Sequence, residues 1–211
     1  MDQAVKKISY KGYEIKIYQD DCFENPIKEW DVFGKFVCWH RRYDLGNCKD
    51  FETPEDVRAY AAKTGSMLFP LYMYEHSGIG LSLTNDRYPW NCPWDAGQVG
   101  YILVDRQEAL EKLGKKRMSG KLKRKITEII SAEVDTYNQY LAGDVYGYVI
   151  QKDGKEIESC WGFYGLEDVE EEAKSVGDYN IQQTIKKHCE RVKAWIKNNV
   201  PFIYRSAICA G

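Results

Sequence analysis

Two stretches of alternating apolar and polar residues, each interrupted by a turn that contains glycine, constrain the fold of this chain most. The first covers residues 8–17 around Lys11-Gly12, and the second joins residues 145–150 to residues 157–161 across 152–155. Glycine accepts the positive φ that a tight hairpin turn requires, so each stretch predicts a pair of antiparallel strands. Hairpins alternate with helical segments without a strict β-α-β-α order. We therefore predict an α+β fold, with a mainly antiparallel sheet built from hairpins and packed against several helices.

Capping residues mark where the predicted helices begin. Thr53, Asp105 and Ser119 are predicted N-caps of three helices, which end near residues 65, 114 and 143. Residues 166–173 and 179–197 are predicted as two further, separate helices. The chain contains no Gly/Ser-rich linker, repeat or low-complexity tract, so residues 1–211 are predicted as a single domain. A subdivision near residues 105–120 is the alternative.

The cysteines and the charge balance exclude several classes of protein. The seven cysteines are odd in number, none is spaced as C-x-x-C, and the first residues show no secretory signal. We therefore expect reduced thiols and a cytoplasmic location. No apolar stretch is long enough for a membrane helix, so no membrane partner is expected. A formal net charge of −2 argues against both a histone-like polycation and an acidic mimic of DNA.

Cys38, His40 and Cys48 could supply metal ligands. Structural zinc usually needs two closely spaced ligand pairs, whereas this segment supplies one loose pair. The sequence also lacks the glycine-rich phosphate loops and the His-Glu motifs of common nucleotide-dependent and metal-dependent enzymes. We therefore expect neither a metal nor a cofactor.

A run of positive charge is the main electrostatic feature of the sequence, because eight cations fall within residues 112–125. Seven of them, which we call the cationic segment, are Lys115, Lys116, Arg117, Lys121, Lys123, Arg124 and Lys125. Four of these fall in the first two turns of the helix capped by Ser119, although the helix dipole disfavours each cation there by about 0.3–1 kcal/mol. The segment suggests a contact with an acidic partner or a nucleic-acid backbone. The alternative, which the sequence slightly favours, is a solvated face or pairing with the acidic run at 167–172.

A second group of residues combines arginine with aromatic side chains. Arg41 and Arg42 stand among the aromatic residues of 39–43. Guanidinium groups pair with phosphates and aromatic rings stack on bases, so this group suggests a nucleic-acid or partner contact. The alternative, which the sequence favours, is that both arginines lie at a strand end and pair with local carboxylates such as Asp44 and Asp50.

His76, Cys92 and Asp95 form the candidate catalytic set of an enzyme. Cys92 would be the nucleophile, His76 its base, and Asp95 or Glu75 the residue that orients the base. The spacing matches no protease signature, and a proline follows Cys92 where a helix N-terminus would activate the thiol. The alternative, which the sequence favours, is an ordered loop in which these side chains have structural roles.

Several stretches distributed along the chain carry a family resemblance. They are NP at 25–26 with WD at 30–31, VCWHRRYDLG at 37–46, LYMYEHSGI at 71–79, CPWDAGQVG at 92–100, YNQYL at 137–141 with GDVYG at 143–147, and CWGFYG at 160–165. Together they resemble a family of proteins encoded by bacteriophages, prophages and related mobile elements of Firmicutes, over residues 14–200. The resemblance brings no catalytic residues to this chain. It implies a biological context, because small phage proteins without enzyme motifs often act by binding and disabling host defence machinery.

The resemblance implies a phage-type accessory protein that inhibits a host nuclease-based defence by stoichiometric protein–protein binding. The expected partner is a host defence protein, with a CRISPR effector nuclease as the leading target. The cationic segment and exposed aromatic residues would supply the contacts, since interface hot spots favour Trp, Tyr and Arg. One alternative is a nucleic-acid-binding accessory protein that uses Arg41, Arg42 and the cationic segment. The other is a small cytosolic enzyme built on His76, Cys92 and Asp95.

Overall fold

The computed structural model describes residues 3–75, 78–84 and 96–201. In chain order its elements are β1 (Lys6–Tyr10), β2 (Tyr13–Gln19), α1 (Pro26–Glu29), β3 (Lys35–Cys38), α2 (Pro54–Thr64), β4 (Met67–Glu75), β5 (Ile79–Ser82), β6 (Ala96–Val104), α3 (Arg106–Lys112), α4 (Gly120–Ala142), β7 (Val145–Lys152), β8 (Lys155–Tyr164) and α5 (Leu166–Asn199). The strands form two antiparallel sheets, ordered β1-β2-β7-β8 and β3-β6-β4-β5. The predicted α+β fold is confirmed. Among the described residues, no helix is both long enough and apolar enough to cross a membrane.

The chain divides into two compact units. The first unit takes the described residues up to Gln19 and from Tyr146 onward, and the second unit takes Asp20–Val145. Each unit contains one sheet and buries its own apolar side chains. The region 105–120, named as the alternative boundary, lies inside the second unit. That residues 1–211 form a single domain stays a prediction.

Helices cover both faces of the sheet in the second unit. Alternate residues of a strand point to opposite faces, so Phe36 and Val37 of β3 enter different cores. Phe36 packs with Ile130 of α4, and its ring meets that of Tyr137 edge-on, with 5.8 Å between the centroids. Val37 packs against Val57 of α2 on the other face. All five side chains are almost completely buried.

Local capping signals place α2 and α4 as predicted. Thr53 caps α2 and forms a reciprocal capping box with Asp56. The Ser119 hydroxyl accepts a hydrogen bond from the backbone N–H of Leu122 at the start of α4. Gly143 ends α4 in the left-handed conformation, with φ 71°. These signals determine where the helix that carries part of the cationic segment begins and ends.

Glu133 ties α4 to the chain that leads into β3. Its carboxylate accepts hydrogen bonds from the backbone N–H groups of Phe33 and Gly34. Burial raises the pKa of this carboxyl above its usual range, although the two hydrogen bonds act in the opposite direction. Glu133 therefore holds α4, and with it the cationic residues of its first turns, against the loop that precedes β3.

Ionisation of Glu133 is expected to lower the stability of the protein. Because its pKa is higher in the folded than in the unfolded chain, its contribution to stability is fully present below the unfolded pKa of 4.5. That contribution is lost as the pH rises through the folded pKa. Urea unfolding between about pH 4 and pH 7 measures the effect, and Glu133→Gln should remove this part of the pH dependence. A stability difference between the two proteins that stays constant with pH would contradict the assignment.

Both predicted hairpins form in the first unit. The turn residues Lys11-Gly12 have φ of 49° and 85°, and Asp153-Gly154 have φ of 50° and 75°. Positive φ at both positions is the requirement of the two-residue type I′ turn. β2 pairs with β7, which joins the two hairpins in one sheet. The buried residues of this sheet and of α5 are Tyr13, Ile15, Ile17, Tyr148, Ile150, Val169 and Ala173.

The C-terminal part of the chain forms one helix where two were predicted. The prediction of separate helices at 166–173 and 179–197 is wrong, because α5 runs unbroken over Leu166–Asn199. Gly177 has low helix propensity, but it is buried against Tyr10, where an added Cβ would lie 3.4 Å from the ring. Asp178 accepts a hydrogen bond from the Tyr10 hydroxyl and another from Lys11 Nζ at 2.7 Å. These contacts with the first hairpin compensate for the weak local propensity.

Candidate functional site

The cationic segment spans the connection between α3 and α4 and the first turns of α4. Lys115, Lys116 and Arg117 lie in the connection, which follows the end of α3. The other four cations, at positions 121 and 123–125, lie in α4. All seven residues are exposed. The structure therefore brings the predicted residues together on the surface of the second unit.

Packing of α4 directs its cations away from the core. Leu122 and Ile126 are buried, and they occupy the inner face of the helix at the spacing of one turn. Lys121 and Lys125 are also one turn apart, on the outer face, where like charges destabilise a helix by about 0.2–0.5 kcal/mol. The first turn of α4 contains no acidic residue, so its positive dipole end meets positive side chains. Helix stability does not account for this arrangement.

The cationic segment has no ion-pair partner among the described residues of its own unit. Among the described residues of the second unit, no carboxylate lies within ion-pair distance of the seven side chains. Two lysines outside the cationic segment do have carboxylate partners. Lys112 Nζ lies 2.7 Å from Asp31 Oδ1, and Lys35 Nζ lies 2.7 Å from Glu108 Oε1. Within the described part of the second unit, the positive charge of the cationic segment is thus not paired with a carboxylate.

One member of the acidic run at 167–172, Glu170, already has partners in the first unit. In the first unit, the Glu170 carboxylate forms ion pairs with Lys6 and Lys174. The hydrogen bond from Lys6 is the main cause that lowers the pKa of this carboxyl. Glu170 is therefore already paired with lysines of the first unit and does not require the cationic segment as a partner.

The arginine group is organised around Glu75 at the end of β4. Arg42 Nη2 lies 2.5 Å from Glu75 Oε2, and the Tyr43 hydroxyl donates to Glu75 Oε1 at 2.8 Å. That hydrogen bond raises the pKa of the Tyr43 phenol. His40 stacks on the Tyr43 ring with 5.1 Å between the centroids, and its Nδ1 accepts the backbone N–H of Tyr43. The four side chains form one hydrogen-bonded and stacked cluster.

The structure changes the expected partners of the arginines. Asp44, one of the two carboxylates expected to pair with them, instead lies 2.7 Å from Lys28 Nζ. Arg42 pairs with Glu75 yet keeps 67% of its side chain exposed, and Arg41 is exposed. Both arginines stay candidates for a partner contact.

Cys38, His40 and Cys48 do not form a metal site. In residues 3–75, 78–84 and 96–201, no group of three His, Cys, Asp or Glu side chains is placed to hold a metal ion. The Cys38 thiol donates to the carbonyl oxygen of Leu45 at 3.5 Å. Burial raises the pKa of this thiol to about 12, so it is held in its protonated form.

The three residues of the candidate catalytic set, His76, Cys92 and Asp95, lie outside the described residues. Glu75, the other residue that could orient a base, is bound to Arg42 and Tyr43. The enzyme hypothesis therefore stays a prediction from the sequence.

The described surface offers two groups of candidate contact residues, the cationic segment and the arginine group. Comparison of the chain with protein-family models, with curated proteins and with solved structures finds no match. Function is therefore inferred from the chemistry of these two groups. The sequence did not predict that Glu75 pairs with Arg42, because the two residues are 33 positions apart in the chain.

Proposed function

We propose that this protein inhibits a host nuclease-based defence by stoichiometric protein–protein binding, and that its target is a CRISPR effector. The observation that supports the proposal is the cationic segment, whose seven exposed residues have no carboxylate partner among the described residues of the second unit. An arrangement that costs helix stability and leaves charge uncompensated is typical of a binding surface. The resemblance to phage and prophage proteins supplies the context of host defence.

The charge distribution favours a protein as the ligand. The whole chain has a net charge of −2, so it lacks the overall positive field that attracts nucleic acids from a distance. A compact cationic patch is complementary to an acidic patch on a protein surface. Nucleases that use metal ions hold them largely through carboxylates, so such targets contain acidic clusters. Arg117 and Arg124 add the residue type that interface hot spots favour.

A nucleic-acid-binding accessory protein is the second candidate function, and the same exposed cations support it. Phosphate contacts release counterions, so an affinity that rests on six or more of them should fall roughly 10³-fold or more between 50 and 200 mM salt. Arg41, next to aromatic side chains, would extend such a contact. An affinity for oligonucleotides that stays flat with salt would remove this candidate.

Titration of a purified CRISPR effector with this protein tests the leading proposal. We expect cleavage of the target DNA to stop at an equimolar ratio. The double variant Lys121→Glu/Lys125→Glu should require more than about tenfold higher concentration to inhibit. The control variant Lys7→Glu/Lys63→Glu changes the charge equally, at exposed lysines outside the cationic segment, and should inhibit as the wild type does. Equal inhibition by both variants, or inhibition of no effector, would contradict the proposal.

A further inference from the structure

The outer strand β8 leaves one edge of the sheet in the first unit open. Among the described residues, β8 pairs with β7 alone, so its other edge has no strand beside it. Residues 155–162 are all exposed, whereas most of β7 is buried or half-buried. The backbone N–H and C=O groups along such an edge form a template for a further strand. The edge of β8 is therefore a place where a strand can be added to the sheet.

The composition of β8 does not protect this edge. Lysine and proline are residues that commonly block pairing at an edge strand. β1, which forms the other edge of the same sheet, begins with two consecutive lysines. After its first residue, β8 has neither lysine nor proline, and it exposes two large apolar side chains. Ile157 is 48% exposed and Trp161 is 49% exposed.

The two apolar side chains lie on the face of the sheet away from α5. Glu158 points toward α5, because its carboxylate accepts a hydrogen bond from Asn180 Nδ2 of that helix at 3.2 Å. Successive side chains of a strand alternate between the two faces. Ile157, Ser159 and Trp161 therefore share the opposite face, where the Trp161 ring packs over a glycine of β7.

A second copy of β8 fits this edge in one register. In an antiparallel ladder, paired residues lie directly opposite each other on the same face, and like charges there are destabilising. A ladder centred on Glu158 would oppose two copies of that carboxylate, and a ladder centred on Ile157 would oppose Glu156 and Glu158. Centres beyond Ser159 would draw in Gly162, whose φ of 84° departs from extended backbone. A ladder centred on Ser159 avoids both faults.

We propose that two copies of this chain pair through β8 as antiparallel strands, with the two-fold axis at Ser159. Ile157 of each copy then lies opposite Trp161 of the other, and such pairs of aromatic and β-branched side chains stabilise a sheet. The contact is the same on both copies, as a closed dimer requires. The net charge of −2 creates little long-range repulsion between copies. The proposal concerns the first unit alone and does not rest on the cationic segment or on its target.

Sedimentation of the full chain over a concentration series tests the proposal. We expect the wild type to dimerise. Ser159→Lys should weaken the dimer by more than about tenfold, because it sets two lysines directly opposite each other at the axis. The matched control is Ser9→Lys, an exposed position in β1 at the other edge of the sheet, which should dimerise as the wild type does. Circular dichroism confirms that each variant retains its fold.

A mixture of two charge variants distinguishes a second copy from any other occupant of the edge. Ser159→Lys and Ser159→Glu should each be monomeric alone and should form a dimer when mixed, because opposite charges then meet at the axis. A dimer that Ser159→Lys leaves intact, or a mixture that stays monomeric, would overturn the proposal. A monomeric wild type would also overturn it and would assign the edge to a strand of another protein.

Discussion

Replacing Lys121 by glutamate is expected to raise the free energy of unfolding by about 1 kcal/mol and to weaken partner binding more than about tenfold. The new carboxylate would stand in the first turn of α4, just after the Ser119 cap, where the helix dipole is positive. It would also turn the like-charge pair with Lys125 into a Glu–Lys pair at i,i+4, with the acid on the favourable N-terminal side. A variant that is more stable than the wild type but binds its partner more weakly would show that the native lysine serves binding at a cost in stability.

The matched control for this prediction is Lys63→Glu. Lys63 lies in the last turn of α2, where a cation is favourable to the dipole. Its reversal should therefore lower the free energy of unfolding by about 0.5 kcal/mol and leave binding unchanged. Urea unfolding measures the stabilities, and calorimetric titration of the effector measures the affinities. Destabilisation by Lys121→Glu would contradict the unfavourable placement of this cation at the start of α4. Binding as tight as that of the wild type would contradict the cationic segment as the binding surface.

Gly100→Ala is expected to destabilise the protein by at least about 3 kcal/mol. Gly100 of β6 pairs with Cys38 of β3. A Cβ at this position would lie 2.1 Å from the carbonyl oxygen of Val37 and 2.9 Å from the Cα of Cys38. Both are backbone atoms, so no rotation of a side chain relieves the clash, and the two strands must separate. Separation of the strands would also disturb the packing of Phe36, which is buried in the core of the second unit.

Gly97→Ala on the same strand is the control for this effect. Among the described residues, and apart from its own chain neighbours, no atom lies within 4 Å of the position that its Cβ would occupy. Alanine also loses less backbone entropy on folding than glycine does, so we expect a change of less than about 1 kcal/mol. Thermal unfolding of both variants measures the difference. Equal melting temperatures would contradict the close approach of β3 and β6 at Gly100.

Elements whose signals are local were predictable from the sequence. The turns at Lys11-Gly12 and Asp153-Gly154 form as expected, because two adjacent positions decide the turn type. The caps at Thr53 and Ser119 place α2 and α4, since each cap bonds to backbone within three residues. The cationic segment was also visible, because its charges are adjacent in the sequence.

Features that depend on distant contacts were not predictable in the same way. The continuity of α5 depends on Tyr10 and Lys11, which contact Gly177 and Asp178 from the opposite end of the chain. The pair between Arg42 and Glu75 likewise depends on where β4 ends. The division into two units arises because β2 pairs with β7 across more than half of the sequence. Tertiary packing overrides local propensity at each of these places.

Affinity capture from a lysate of a bacterial host, with and without nuclease treatment, tests the role of the cationic segment most directly. We compare the wild type with Lys121→Glu/Lys125→Glu and with Lys7→Glu/Lys63→Glu, and identify the captured proteins by mass spectrometry. We predict one protein partner that survives nuclease treatment and that only the Lys121→Glu/Lys125→Glu variant fails to capture. Capture that disappears with nuclease, or that is equal for all three proteins, would contradict protein–protein binding through the cationic segment.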